Sequence, residues 1–154
     1  MGKLEFELEV KCPADKFWGG MKDTTVLFPK IFPQRFKSIE VVEGDGVNAG
    51  TVRLVRYAED TPVITFAKEK VELLDDVNKV LVYSVIDGEL MTHYKSLKGK
   101  VEVVPIPKGE GEGSLVKWSL EFEKASDEVP DPILMQDYAT NAFIGLNAYL
   151  LKEE

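Results

Sequence analysis

Between Lys3 and Lys11 every second side chain is apolar. Leu4, Phe6, Leu8 and Val10 fall on one face, and Glu5, Glu7, Glu9 and Lys11 on the other. A period of two residues marks a strand with one buried and one wet face. Further strand signals run from Lys37 to Glu43, Thr51 to Ala58, Val63 to Leu74, Lys79 to Asp87, Met91 to Val104 and Ser114 to Lys124. Between them lie Gly44-Asp45-Gly46, Glu59-Asp60-Thr61-Pro62, Asp75-Asp76-Val77-Asn78, Asp87-Gly88 and the stretch Pro107 to Gly113, all rich in residues that accept tight or left-handed backbone. That spacing predicts an antiparallel meander.

The period then changes. After Pro130-Asp131-Pro132, with Asp131 as N-cap and Pro132 at the first helical position, Met135, Tyr138, Ala139, Ala142, Leu146, Tyr149 and Leu150 recur at helical spacing. A sheet with one apolar face needs a cover, and this helix supplies it by lying across the concave side. Two shorter helices precede the meander, from Pro13 to about Thr24 and around Val26 to Phe36, the second interrupted by Pro29 and Pro33. The expected class is α+β: a curved seven-stranded antiparallel sheet wrapped around a long C-terminal helix, with two short helices closing one end.

At 154 residues, 44% of them hydrophobic, the chain is read as one domain, 1–154, able to bury a core without disulfides or metals. It carries 19 Lys and Arg against 27 Asp and Glu, a net charge of -8 that repels phosphate backbones, so no nucleic-acid partner is expected. No apolar run reaches the roughly 20 residues needed to span a bilayer, and Met1 to Phe6 lacks the apolar core of a secretory signal. With Cys12 as its single cysteine, the expected compartment is the cytoplasm and the expected state a monomer. Cys12 and the single histidine, His93, show no metal-ligand spacing, so neither metal nor cofactor is expected.

Charge alternation assigns faces. Lys117, Ser119, Glu121 and Glu123 point outward, leaving Val116, Trp118, Leu120 and Phe122 inside; Lys98, Lys100 and Glu102 leave Leu97, Val101 and Val103 inside. In Ala67 to Leu73 the outward series is Lys68, Lys70 and Glu72, which turns Glu69 inward beside Ala67, Val71 and Leu73. A lone buried carboxylate is costly and needs a partner. His93 and Lys95 share the inward parity of Leu97. By periodicity alone this apolar face is a core. On the long helix, Ala139, Ala142 and Gly145 either leave space or permit close packing, and Gly145 costs about 1 kcal/mol relative to Ala.

Several stretches together carry a resemblance: Pro13-Ala14-Asp15-Lys16-Phe17-Trp18, Leu27-Phe28-Pro29-Lys30-Ile31-Phe32-Pro33-Gln34, the loop Glu43-Gly44-Asp45-Gly46 with Gly50-Thr51, Tyr83-Ser84-Val85-Ile86-Asp87-Gly88, Leu115-Val116-Lys117-Trp118-Ser119 and Tyr149-Leu150-Leu151. In this order and spacing the chain resembles the plant major latex proteins, relatives of the birch-pollen major allergen and of the class-ten pathogenesis-related proteins. The resemblance implies the helix-grip, START-like fold and a large cavity that takes up flavonoids, cytokinins, steroids or fatty acids, with a part in plant defence or stress.

It also turns Leu81, Tyr83 and Val85 inward and sets Arg53 beside Glu69, as a structural ion pair or as an anchor for a ligand hydroxyl or carboxylate. Trp18, Met21, Phe28 and Phe32 from the short helices, Val55 and Tyr57 from the strand of Arg53, and Met135, Tyr138, Ala139 and Ala142 from the long helix complete the expected ligand-binding set.

The expected function is therefore binding or carriage of a small hydrophobic metabolite. A cavity enzyme that condenses or isomerises such a metabolite is the alternative, since Tyr83, Glu69, Lys95 and His93 offer acids and bases; none matches an enzymatic motif, and no catalytic residue is assigned. The acidic charge and the missing second histidine weigh against a ribonuclease. The gate and latch motifs of the related abscisic-acid receptors are absent, the corresponding turns reading Glu59-Asp60-Thr61-Pro62 and Asp87-Gly88-Glu89-Leu90.

Overall fold

In the computed structural model, which describes residues 2–59, 64–108 and 111–152, the first alternating run is strand β1 (Gly2–Val10). Its partner comes from the far end of the chain. β1 pairs antiparallel with β7 (Gly111–Lys124), Phe6 opposite Trp118 and Leu8 opposite Val116, so two apolar rows meet on one face. The other strands are β2 (Phe36–Glu43), β3 (Val52–Tyr57), β4 (Phe66–Asp75), β5 (Val80–Gly88) and β6 (Tyr94–Lys108). They form one seven-stranded antiparallel sheet in the order β1-β7-β6-β5-β4-β3-β2. Val63 of one expected strand, Asp60-Thr61-Pro62 of one expected turn and Gly109-Glu110 of another lie outside the described residues.

The long helix α4 (Ile133–Lys152) lies in the grip of the sheet, as the change of period requires. It starts just beyond the expected cap. The Asp131 carboxylate is 2.8 Å from the Lys124 ammonium and joins the start of the helix to β7 rather than capping it. Helices α1 (Ala14–Lys22) and α2 (Thr24–Ile31) close one end, Pro29 being tolerated inside α2. Three links fasten α1 to the β4–β5 turn. Trp18 Nε1 and Lys22 Nζ donate to Asp76 Oδ1 at 2.8 and 2.9 Å, and Lys79 pairs with Asp15 at 3.0 Å.

The tightest core lies between α1, the C-terminal half of α4 and strands β6 and β7. Phe17, Leu97, Val103, Val116, Leu120 and Leu146 are fully buried there. Each such side chain contributes roughly 1.5–3 kcal/mol relative to an exposed one.

Two bulges change the faces that alternation assigned. Between Val71 and Leu73 the register of β4 against β5 shifts by one residue, so Leu73 faces solvent at 46% exposure and Leu74 packs inward in its place. A one-residue slip moves each later side chain to the other face. The second bulge, between Tyr94 and Ser96, corrects His93 and Lys95. His93 ends a four-residue helix, α3 (Leu90–His93), where a strand was expected, and it is exposed. Lys95 is exposed too and pairs with Glu123 at 3.6 Å, while Tyr94 turns inward and packs edge-on against Phe122.

Candidate functional site

The inward rows of β3, β4 and β5 carry side chains that the helix above them does not fill. On β3 they are Arg53, Val55 and Tyr57; on β4, Ala67 and Glu69; on β5, Tyr83 and Val85. Above them the N-terminal half of α4 presents Met135, Tyr138, Ala139 and Ala142. Between sheet and helix two lobes remain open. The outer one, about 130 Å³, reaches Phe36, Ile39, Ile64 and Leu90, and the inner one, about 110 Å³, reaches Met21, Leu81, Val101, Trp118 and Phe143. Thr24, Phe28, Arg53, Glu69, Tyr83, Ala139 and Ala142 line both lobes, so they form the waist of one chamber.

Of the two readings of the small helical residues, each holds at a different position. Ala139 and Ala142 face the chamber and leave space. Gly145 instead receives the ring of Phe32, whose end would collide with any side chain at that position. Phe32 therefore packs on the helix and, with Phe28 and Phe36, forms an aromatic cluster at ring separations of 5.5–6.3 Å. Trp18 is buried beside the chamber, not in its wall. Leu97, Val116, Leu120 and Phe122 are core side chains behind it. Sequence reasoning missed Thr24, Phe36, Ile39, Ile64, Leu90 and Phe143. The parity of Ile39 in β2 and the helical spacing of Phe143 were available signals; Thr24 and Leu90 gave none.

The polar groups gather at the waist. Arg53 and Glu69 are opposite one another in the β3–β4 register, and Arg53 Nη2 lies 3.4 Å from Glu69 Oε1, the side chains being 11% and 22% exposed. Arg53 Nη1 donates to Thr24 Oγ1 at 2.9 Å. Its Nε is buried without a hydrogen-bond partner among the described residues. Tyr83 accepts a hydrogen bond of 3.3 Å from Trp118 Nε1 and lies over Gly99, where a side chain would meet its ring and hydroxyl. Burial, reinforced by the negative charge of Glu69, pushes the Tyr83 phenol up to about 12, and the same two causes raise Tyr57. Both phenols are neutral at physiological pH. Outside this zone Arg35 stacks its guanidinium 4.6 Å from the Tyr138 ring and fixes that wall of the chamber.

Two other hollows differ in kind. A larger one, about 440 Å³, lies among charged side chains that include Lys3, Glu5, Glu7, Lys100, Glu102 and Lys117, surroundings that favour water over an apolar guest. An apolar groove of about 260 Å³ at Tyr94, Val129, Pro130 and Leu134 touches the chamber through Ile64, Leu90 and Met135, and His93 lies on its rim. Among the described residues there is no cluster of metal-ligating side chains, and no helix is long and apolar enough to cross a membrane.

Residues 1–153 match the Pathogenesis-related protein Bet v 1 family. The chain belongs to that family. Within it, the chain is 43% identical over 152 residues to the MLP-like protein 423 of Arabidopsis thaliana, covering 99% of this chain and 96% of that one. Among solved Bet v 1-like structures, the ginseng major latex-like protein 151 of Panax ginseng superposes with a TM-score of 0.84 at 27% identity, covering 97% of both chains. The norcoclaurine synthase of Thalictrum flavum, solved in complex with dopamine and hydroxybenzaldehyde, gives a TM-score of 0.84 at 20% identity over 99% of this chain and 88% of that one, a likeness of fold.

Proposed function

We propose that this protein binds and carries a small hydrophobic plant metabolite of the flavonoid, cytokinin, steroid or fatty-acid class inside the cell, in a defence or stress setting. The observation that carries the reading is the chamber under the N-terminal half of α4. Its walls are mostly apolar, with the charged groups confined to one waist and the phenols of Tyr57 and Tyr138 in the outer lobe, the usual make-up of a small-molecule site. The residues proposed to meet the guest are those of its lining: Met21, Phe28, Arg53, Val55, Tyr57, Glu69, Leu81, Tyr83, Val85, Val101, Trp118, Met135, Tyr138, Ala139 and Ala142.

Fluorescence titration with anilinonaphthalene sulfonate tests this directly. Trp118 lines the inner lobe and Trp18 does not, so micromolar binding should change the emission of the wild type and leave that of Trp118→Phe little altered. No binding of the dye, and no emission change with a flavonoid, a cytokinin or a fatty acid, would sink the carrier reading.

A second reading has one observation in its favour. A neutral Tyr83 phenol, the Glu69 carboxylate and the Arg53 guanidinium line the same waist, and the norcoclaurine synthase crystallised with dopamine and hydroxybenzaldehyde shares the fold. Incubation with that pair of compounds, followed by mass analysis for a condensed product, decides between carriage and catalysis.

A further inference from the structure

The chamber's hydrogen-bonding groups are unevenly matched, and the imbalance states what its guest must offer. Arg53 spends Nη1 on Thr24 and Nη2 on Glu69, while its Nε–H is buried with nothing to receive it among the described residues. The Tyr83 hydroxyl accepts from Trp118, and its own proton has no acceptor among the described residues. Against these two donors the waist holds one strong acceptor, the Glu69 carboxylate. It already faces Arg53 and is the more exposed of the pair. A buried donor without an acceptor is the costlier defect, because the whole desolvation penalty of the N–H stays uncompensated.

The placement of these donors adds a second constraint. They sit where the lobes meet, with mainly apolar walls beyond them: Met21, Val101 and Phe143 inward, and Val55, Ile64 and Met135 with the phenol rings of Tyr57 and Tyr138 outward. A guest filling both lobes has apolar ends and meets the donors near its middle. The Arg53 cation there is already paired with Glu69, so a guest carboxylate would add a net negative charge to a poorly screened site, whereas an uncharged acceptor adds none. The acceptor that fits is uncharged.

Resting on the carrier reading, we propose that the chamber selects neutral molecules that are apolar at both ends and bear a carbonyl oxygen near the middle, received by Arg53 Nε–H and the Tyr83 hydroxyl. A fatty acid, with its polar group at one end and ionised, fits this pattern poorly. The raised phenol of Tyr83 agrees with its role as donor, because a neutral hydroxyl retains the proton it gives.

Four ligands test this on the intact protein: dibenzyl ketone, its hydrocarbon analogue diphenylpropane, the alcohol dibenzyl carbinol, and laurate. Displacement of anilinonaphthalene sulfonate reads the affinities. Each is divided by the compound's octanol–water partition, so that a merely greasy pocket ranks the first three equally. The wild type should favour the ketone over the hydrocarbon by about tenfold on this scale, the worth of one buried hydrogen bond. In Arg53→Lys, which keeps the charge and lacks Nε–H, and in Tyr83→Phe, the ratio of ketone to hydrocarbon affinity should fall to about threefold or less.

If the wild type binds ketone and hydrocarbon equally, the donor waist selects nothing and the inference falls while carriage stands. Preference for the alcohol over the ketone would make Glu69 the selecting group, and preference for laurate would restore an anionic ligand; either overturns it. Failure of all four and of the dye removes carriage and the inference together. The wild-type ranking decides the question even where both variants unfold.

Discussion

The two halves of α4 do different work on one helical surface. In the C-terminal half Phe143, Leu146 and Leu150 are buried, Phe143 meeting Phe17 and Phe6 at ring separations of 6.2 and 6.1 Å. In the N-terminal half Met135, Tyr138 and Ala139 are only half-buried and face the chamber. The difference lies in side-chain volume. Where large residues face α1 and the β1–β7 pair, sheet and helix interlock; where alanines face β3 to β5, the same helix spans an opening. One element thus acts as core at one end and as a roof at the other, with Ala142 near the boundary.

Cutting a side chain from the packed half gives the largest expected effect. Leu146→Ala should lower stability in urea by about 2–5 kcal/mol, the range for emptying a fully buried leucine site, and leave dye affinity within about twofold where the protein is folded. A loss below about 1 kcal/mol would mean that this half is as loosely filled as the other, and the comparison fails.

Adding volume to the roof sharpens it. Ala142→Trp should abolish dye binding and change stability by less than about 1 kcal/mol, because the indole enters open space rather than a packed core. If thermal melts instead show the roughly 1–3 kcal/mol of strain typical of overpacking, the boundary between the two halves lies nearer the N-terminus than Ala142.

The smallest effect concerns the chamber's outer rim. The Glu89 carboxylate accepts hydrogen bonds from the Thr65 hydroxyl, the Thr65 N–H at 3.0 Å and the Phe66 N–H at 3.3 Å, next to the lining residues Ile64 and Leu90. These bonds, that of the Thr65 hydroxyl first, bring its pKa down from 4.5 to about 2. A folded value below the unfolded one means stabilisation that is complete above about pH 4.5 and lost as the pH falls toward 2. Solvent screening keeps it small. Glu89→Gln should melt slightly below the wild type at neutral pH and converge with it in acid. A gap that stays constant across that range would show that the carboxylate's charge contributes nothing.

These regions were not equally legible in the sequence. Faces were readable where the pleat ran unbroken and one side was charged: the β7 row of Val116, Trp118, Leu120 and Phe122 points inward as alternation requires, whereas the inward β5 row of Leu81, Tyr83 and Val85 was expected from the family resemblance. Parity fails across a bulge, which is why Leu73, His93 and Lys95 were assigned to the wrong side. Four residues of helix at Leu90–His93 are too few to show a period. That Glu69 needs a cation followed from its apolar neighbours, and that the cation is Arg53 followed from the family resemblance; in the structure the β3–β4 register sets the two opposite one another. The division of the inner face into wall and core was hidden, since it depends on how far the sheet curves away from the helix.

The strand order also bears on the sequence of events as the chain is made. From β2 to β7 each strand lies beside the one made just before it, so this meander can assemble as it emerges. β1 is the exception. It is synthesised first, yet its partner is β7, and the pairing of Val10 with Ser114 closes a loop of most of the chain. Long-range pairings are the slow ones, because loop-closure entropy must be met before any contact rewards it. The apolar row Leu4, Phe6, Leu8 and Val10 therefore leaves the ribosome without its partner strand and waits for the rest of the sheet, which makes the N-terminal segment the part of the nascent chain most in need of shielding.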